Sequence, residues 1–478
     1  MKLPEFIPQA GAGSRFPGHR ASERREKAVP QELLVIGGGL AGCEAALAAA
    51  RAGVAVRLVD MKPQEFSPAH HSPHLGELVC SNSLRSDVIT SAVGLLKAEM
   101  TLLGSAVMTA ARATAVGAGK ALAVDREAFA KHLEGQIAAQ PLISRESARV
   151  DALPDHVAVL ATGPLTAGAL AEELAKLTSS IHLHFYDAIA PIVSLESVDM
   201  ERAYWGDRYG EPGQGDYLNC PLSREEWGEF YAALISGDQV PLKDFESPQF
   251  FEGCLPIEVM AARGEKTLLF GPMKPVGLED PATGKRPHAV VQLRKENLEG
   301  SLLNLVGFQT KLTYQAQDLV FRKIPALAGA EFVRWGSIHR NTFLDAPRVL
   351  DPHQRLKAAP HLFVAGQLSG VEGYVESSAM GILCGVNAAN LLCQRTLISP
   401  PPTSALGGLV THLQNTATKS FQPSNINFGL LPPLEGRVFK RQRGAAQARR
   451  GLADFLAWME ASGLEPAGDI PQLPEEAG

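Results

Sequence analysis

Residues 33–42 read Leu33-Leu34-Val35-Ile36-Gly37-Gly38-Gly39-Leu40-Ala41-Gly42. The four apolar residues predict a short buried strand, and the glycines that follow at once predict a tight turn into a helix. Leu40 to Ala52 is rich in alanine and closed by Gly53, which reads as that helix. Val54 to Asp60 reads as a second strand. The three pieces make a β-α-β unit. Gly37, Gly39 and Gly42 match G-x-G-x-x-G. The first glycine permits the turn, the second lets the backbone approach a pyrophosphate, and the third lets the helix pack close to the strand. The first turn, with Gly38, Leu40 and Ala41, offers unpaired N–H groups and a partial positive charge to phosphate. Asp60 closes the second strand about 20 residues on, where a carboxylate can accept bonds from ribose hydroxyls. A dinucleotide site over Gly37–Gly42 and Asp60 is therefore expected.

Outward from this unit, the chain of 478 residues exceeds one ordinary core and predicts two domains, or one large domain that is interrupted. With 45% hydrophobic and 20% charged residues it reads as a globular enzyme. A formal net charge of −6 excludes a general polyanion binder, so any nucleic-acid contact must use a local basic patch. The six cysteines form no C-x-x-C pair, which argues against a disulfide framework and a zinc knuckle. No metal site is expected, and a reduced, cytoplasmic compartment fits. No apolar run reaches the roughly 18 residues of a membrane span. Residues 1–30 lack a continuous apolar centre and read as a disordered leader rather than a secretory signal.

Helical text runs from about Ser86 to Ala111, and Asp125 reads as the N-cap of a helix reaching Ala139. His156 to Ala161 reads as a buried strand ending in Thr162-Gly163-Pro164. From about Ala190 aromatic, charged and loop residues interleave. The expected organisation is an α/β fold: a Rossmann-like, doubly wound dinucleotide-binding domain over 31–189 and 331–463, interrupted by an α+β insertion over 190–330. A tail over 464–478 is expected to be disordered. Strand-and-helix texture returns at His361 to Gly366, followed by a small-residue helix over about Ser377–Leu392.

Two later segments favour FAD over NAD. Val159-Leu160-Ala161-Thr162-Gly163 resembles the "ATG" strand of two-dinucleotide flavoproteins. Phe363-Val364-Ala365-Gly366-Gln367 resembles their C-terminal flavin segment, which makes Gly366 and Gln367 cofactor-binding candidates. There a helix N-terminus stabilises negative charge on the reduced ring.

Longer segments extend the likeness. Ile36-Gly37-Gly38-Gly39-Leu40-Ala41-Gly42-Cys43-Glu44-Ala45-Ala46 resembles the start of the GidA-related flavoproteins that modify tRNA uridines. Leu78-Val79-Cys80-Ser81-Asn82-Ser83-Leu84-Arg85-Ser86 and Phe251-Glu252-Gly253-Cys254-Leu255-Pro256-Ile257-Glu258 are similar to the shorter members, the folate- and FAD-dependent tRNA uracil-5-methyltransferases. So are Leu269 to Leu278, Gly336-Ser337-Ile338-His339-Arg340-Asn341-Thr342 and Ala365 to Tyr374. The likeness runs from about residue 32 to 460.

The resemblance implies transfer of the one-carbon unit of 5,10-methylenetetrahydrofolate to carbon 5 of the T-loop uridine of tRNA. It implies FAD as cofactor and NAD(P)H as electron source. Carbon 5 of uracil is a poor nucleophile. A thiolate adding to carbon 6 makes an enolate and activates it, and a base must later remove the carbon 5 proton. The resemblance thus makes Cys80 and Cys254 the catalytic candidates. Cys254 would attack carbon 6, and Cys80 would protect the flavin-bound carbon or act as base. His339, Arg340 and Asn341 would bind folate or orient the uracil. Cys43 and Cys384 read as core; Cys220 and Cys393 have no motif. In Glu372 and Tyr374 only backbone shape is expected to matter. Arg263, Lys266, Lys274, Lys285, Arg286 and Arg294 make the insertion basic, and Arg437, Lys440, Arg441, Arg443, Arg449 and Arg450 form a second cluster. Each group reads either as a tRNA phosphate contact or as a solvated face. No obligate protein partner is called for.

Three alternatives differ in kind. The longer GidA-type enzyme modifies the wobble uridine, but it carries a larger C-terminal extension. A small-molecule NAD(P)H-dependent flavin oxidoreductase is a second; the absent C-x-x-C pair of disulfide reductases excludes one subclass of it. A non-catalytic tRNA-binding flavoprotein would tolerate loss of either cysteine, and both are present.

Overall fold

β1 (Leu33–Ile36) is buried along its whole length, as a strand covered on both faces must be. The computed structural model describes residues 32–166, 168–178, 183–210, 214–241, 255–417 and 421–473. Residues 1–30 and Cys254 lie outside that set. β1 runs parallel to β2 (Val56–Asp60) on one side and to the strand Ala158–Leu160 on the other. Ile143–Ser147 extends the parallel sheet beyond β2, and Ala359–Val364 extends it beyond Ala158–Leu160. The short strand Arg355–Leu356 closes that edge antiparallel. The expected parallel α/β sheet is present.

α1 (Leu40–Arg51) is buried from Leu40 to Ala50, because it lies between the sheet and the helix Tyr374–Leu392. Its alanines and the partner's glycines bring the two backbones together. A Cβ on Gly381 or Gly385 would fall 2.3 Å from the carbonyl oxygen of Ala41 or Ala45 respectively. The register advances in the same direction on both helices, so they run parallel with their N-termini on one side. The later helix starts seven residues before Gly381, whereas α1 starts one residue before Ala41. At 1.5 Å per residue its N-terminus projects about 9 Å further.

The single helix expected from Ser86 to Ala111 is two. β3 (Ser83–Ser86) comes first, then α2 (Ala92–Leu102) and α3 (Ala106–Ala113), bent by 109°. Gly104 takes φ +75°, and the Ser105 hydroxyl accepts from the Met108 N–H to start α3. Glu44, buried in α1, finishes that cap. It accepts from the Ala106 and Val107 N–H groups at 3.1 and 3.0 Å and from the Ser105 hydroxyl. Asp125 caps α4 (Arg126–Ala139) as expected, accepting from the Ala128 N–H at 2.8 Å.

A second six-stranded sheet runs in the order Tyr204–Trp205, Tyr217–Leu222, Ala289–Lys295, Leu302–Leu305, Ile192–Ser194, Phe332–Arg334, all antiparallel. Trp227, Phe230, Phe308 and Phe321 fill its core. The chain enters through Leu183–Ile189 and returns through Ser337–Phe343, which pair antiparallel as a two-stranded ribbon. No single helix among the described residues is long and apolar enough to cross a membrane.

The contact between the parallel helices tolerates no side chain. Gly385→Leu is expected to lower stability by roughly 1–3 kcal/mol through overpacking, read as a lower urea midpoint; an unchanged midpoint would mean the helices are not in backbone contact.

Candidate active site

The phosphate turn is shaped by close approach. Gly37 has φ +104°, and a Cβ there would meet the Ala161 carbonyl oxygen at 2.3 Å. A Cβ on Gly42 would meet the Gly37 oxygen at 1.8 Å. Gly39 behaves oppositely. It is the N-cap of α1, no side chain caps it, and nothing lies within 4 Å of its Cβ position. The first-turn N–H groups therefore open onto a cradle, which fits a dinucleotide pyrophosphate.

Asp60 does more than the expected ribose contact requires. Its Oδ2 accepts from the Gly38 N–H at 2.6 Å and its Oδ1 from the Lys62 N–H at 2.9 Å. The carboxylate braces the turn, and each oxygen keeps a further lone pair for a ligand hydroxyl. The buried Lys62 ammonium donates to the Ser72 carbonyl at 3.2 Å and Glu77 at 3.4 Å, anchoring the loop that bears His70 and His71.

The second half of the cradle is the segment before the helix Tyr374–Leu392. Gly366 takes φ +74°, and a Cβ there would meet the Ala41 methyl at 2.9 Å, so this segment abuts α1. The Gln367 amide donates to Glu372 at 2.6 Å and closes the turn between them. Gly373, at φ +105°, is the N-cap with no side-chain cap. The helix begins three residues earlier than the sequence indicated, which makes Tyr374 its first residue.

That shift matters because Tyr374 meets Cys80, 294 residues away in the chain. The Tyr374 oxygen accepts from the Cys80 N–H at 2.8 Å and from the Ser81 N–H at 3.4 Å. Both lone pairs are then engaged, and the one hydroxyl proton is left for Cys80 Sγ at 3.0 Å. Burial and the neighbouring sulfur push the Tyr374 pKa well up, which keeps it the donor. A donor aimed at sulfur favours the thiolate.

The Cys80 loop is clamped from behind by Asn82, which is fully buried. Its amide donates to the carbonyls of Val124 and Lys295 at 2.9 Å each, and its oxygen accepts from Arg294 Nε and Nη2 at 3.1 and 2.8 Å. Arg126 holds the same loop, donating to the Leu78 carbonyl and pairing with Glu296. Arg334 is a third buried guanidinium. Burial and Arg126 push its pKa down to about 10, against the pull of Glu296, Tyr374 and Cys80. Its Nε and Nη2, and Nη2 of Arg126, are buried with no hydrogen-bond partner among the described residues. Unused donors around a sulfur mark a place where a ligand oxygen would be held.

The other expected residues are distributed as follows. Cys254 lies outside the described residues; its motif is described from Leu255, where Pro256 precedes the helix Ile257–Ala262. Glu258 there accepts from the Thr310 hydroxyl at 2.9 Å and the Lys311 N–H at 2.7 Å. His339, Arg340 and Asn341 sit on the returning ribbon strand. Burial, with the charge of His71, holds the His339 pKa down. Asn341 is buried. Arg294 is not a phosphate contact: it is buried and committed to Asn82. Cys43 and Cys384 are core, with thiols pushed up by burial. Cys220 is also buried, and Cys393 is exposed. Tyr374, Asn82, Arg126, Glu296 and Arg334 were not legible as site residues. Only Tyr374 and Asn82 fell inside quoted motifs, and neither carried a spacing signal.

A family model described as "Glucose inhibited division protein A" matches residues 32–396. Methylenetetrahydrofolate–tRNA-(uracil-5-)-methyltransferase TrmFO of Desulfotalea psychrophila is 56% identical over 90% of this chain and 97% of its own length. The protein of the same name from Geobacter sulfurreducens is 55% identical over 89% of this chain and 98% of its own. Among solved structures, Aquifex aeolicus GidA superposes with a TM-score of 0.65 at 16% identity, covering 90% of this chain and 73% of that one, a likeness of fold.

Tyr374→Phe removes the hydroxyl that faces Cys80. The loss of one bond to a charged sulfur, about 1.5–3 kcal/mol, should raise the Cys80 thiol pKa by roughly 1–2 units. Iodoacetamide alkylation of the Cys80 peptide across pH, read by mass spectrometry, would show the midpoint moving up; a midpoint that stays or falls would reverse the assigned donor.

Proposed function

The chain belongs to the glucose inhibited division protein A family, and from that premise we propose that it methylates carbon 5 of the T-loop uridine of tRNA. The one-carbon donor is 5,10-methylenetetrahydrofolate, and NAD(P)H is the electron source. The observation that carries this reading is the identity above 50% to relatives of that activity over nearly their whole length. A cytoplasmic setting belongs to the same reading and accords with the absence of a paired cysteine framework.

FAD, when bound, supplies the two-electron reduction that turns a methylene into a methyl group. Gly37–Gly42 and the start of α1 would hold its pyrophosphate, Asp60 would take its ribose hydroxyls, and Gly366 and Gln367 would lie in the segment that meets the flavin. On this reading residues 31–189 and 331–463 hold the cofactor, and 190–330 brings Cys254 to it. The Cys254 thiolate adds to uracil carbon 6. The negative charge that develops on the uracil oxygen meets the unused N–H groups of Arg334. Cys80, held toward the thiolate by Tyr374, takes the carbon 5 proton after the new carbon–carbon bond forms. Breaking of the bond from the transferred carbon to its nitrogen carrier leaves an exocyclic methylene on carbon 5, and reduction of that methylene by a hydride equivalent expels the Cys254 thiolate, restores the ring double bond and leaves the methyl group. His339, Arg340 and Asn341, on the returning ribbon strand, bind folate or orient the uracil.

Three measurements test these roles. Incubation with unmodified tRNA, methylenetetrahydrofolate, FAD and NADH should yield 5-methyluridine, and its absence from FAD-loaded protein would sink the reading. RNA containing 5-fluorouridine should trap a covalent adduct on Cys254 in the wild type and in Cys80→Ala; an adduct on Cys80 would exchange the two roles. Arg334→Met is expected to lower kcat roughly 10²–10³-fold, as for loss of an oxyanion donor, with bound FAD retained.

A further inference from the structure

Between Glu435 and Asp454 the chain holds Arg437, Lys440, Arg441, Arg443, Arg449 and Arg450 and no acidic residue. The helix Arg443–Ala461 starts late in this stretch, so the first three cations stand in the loop before it. Arg437, Lys440, Arg441 and Arg443 are exposed, and among the described residues none of them has a carboxylate within ion-pair distance. Other cations of the molecule are matched, among them Arg112 with Asp87, Arg145 with Glu134 and Arg355 with Asp351. In the middle of the four sits Phe439, 68% exposed.

The loop is braced rather than slack. Arg450 turns inward and donates to the carbonyls of Pro432 and Pro433, at 2.5 and 2.8 Å, and to Gln447 at 2.7 Å. Arg443 Nε donates to the Val438 carbonyl at 3.3 Å. The loop also follows directly on a segment laid against the candidate site. Glu372 N–H donates to the Ser424 carbonyl at 3.0 Å, Asn425 to the Glu372 carbonyl at 2.7 Å, and Ile426 N–H to Glu376 at 2.8 Å. Glu376 in turn pairs with Arg85, just after the Cys80 loop. A Cβ on Gly444 would meet the Thr90 oxygen at 2.6 Å, so the helix start abuts the turn after β3.

We propose that residues 435–443 dock the RNA substrate: Arg437, Lys440 and Arg441 meet phosphates, and Phe439 stacks on an unpaired base. This rests on the tRNA reading above and says where that RNA lies. A molecule of net charge −6 repels a polyanion at a distance, so attraction must come from a patch stripped of carboxylates, as this one is. An aromatic among cations is what single-stranded nucleic acid requires, since every base offers a face to stack. A membrane or an acidic protein needs more apolar surface. Over 421–473 the large exposed hydrophobic side chains are Phe439 and the distant Ile470.

The test is equilibrium binding of unmodified tRNA to full-length, FAD-loaded protein over a salt series, with bound FAD and the thermal midpoint checking the fold. Arg437→Gln/Lys440→Gln/Arg441→Gln should weaken binding about 10–100-fold near 0.1 M salt and flatten the slope of log K against log salt by about 2–3. Phe439→Ala should weaken binding about 5–100-fold and leave the slope unchanged. Wild-type affinity and slope in both variants would overturn the proposal, as would wild-type protein that binds no tRNA, or variants that lose only binding to anionic vesicles. Binding that depends on the loop without formation of 5-methyluridine would sink the methyltransferase reading and leave the docking surface standing.

Discussion

Everything at the candidate site depends on two helices lying in backbone contact. Gly381 and Gly385 leave no room for a Cβ against the carbonyls of Ala41 and Ala45. Such an approach fixes both the separation and the parallel sense of α1 and the helix Tyr374–Leu392. Parallel helices add their dipoles at one end. The uncapped start of α1 and the uncapped start at Gly373 thus share one side of the molecule, offset along it. A dinucleotide is an elongated anion with a reducible ring at one end, and this offset presents a donor surface to each part.

The chemistry beside that surface is arranged by burial. Three guanidinium groups, from Arg126, Arg294 and Arg334, surround a loop that carries one sulfur. Each is compensated differently. Arg126 has the Glu296 carboxylate, Arg294 has the Asn82 oxygen, and Arg334 has no bonded partner at Nε and Nη2. With Nε and Nη2 buried and unbonded among the described residues, Arg334 is the position where a bound anionic oxygen changes the balance most. Tyr374 adds a neutral donor whose own oxygen is pinned by two backbone N–H groups, which leaves its proton one direction to point. Position and charge act together: the same contacts that hold the Cys80 loop still also favour its thiolate.

The two sheets meet at this loop. Asn82 belongs to the segment that follows the dinucleotide-binding unit, and Arg294 belongs to a central strand of the second sheet. Their bond, with the Asn82 donation to the Lys295 carbonyl, makes the Cys80 loop part of both. The basic loop over 435–443 stands just outside, tied back through Ser424, Asn425 and Ile426 to the residues around Tyr374. An enclosed positive interior and an exposed positive rim serve different ends: one acts on a desolvated ligand, the other on a hydrated polymer.

The sequence by itself determined the local elements with strong periodicity. The strand–glycine–helix unit and the Asp125 cap were legible because each is set by neighbours within a few residues, and the parallel sheet followed from the β-α-β unit. The segment Phe363–Gln367 was picked out by its resemblance to a flavin segment, and its glycine, Gly366, takes a positive φ. The break between α2 and α3 was missed because a run of apolar text hides a single Gly104-Ser105 cap. The pairing of Cys80 with Tyr374, the clamp of Asn82 on Arg294 and the unpartnered edge of Arg334 were decided by tertiary structure alone. They join residues far apart in the chain, and side-chain spacing carries no record of a contact made across two sheets. The same limit removed Arg294 from the exposed basic residues: its charge was visible in the sequence, but its burial was not.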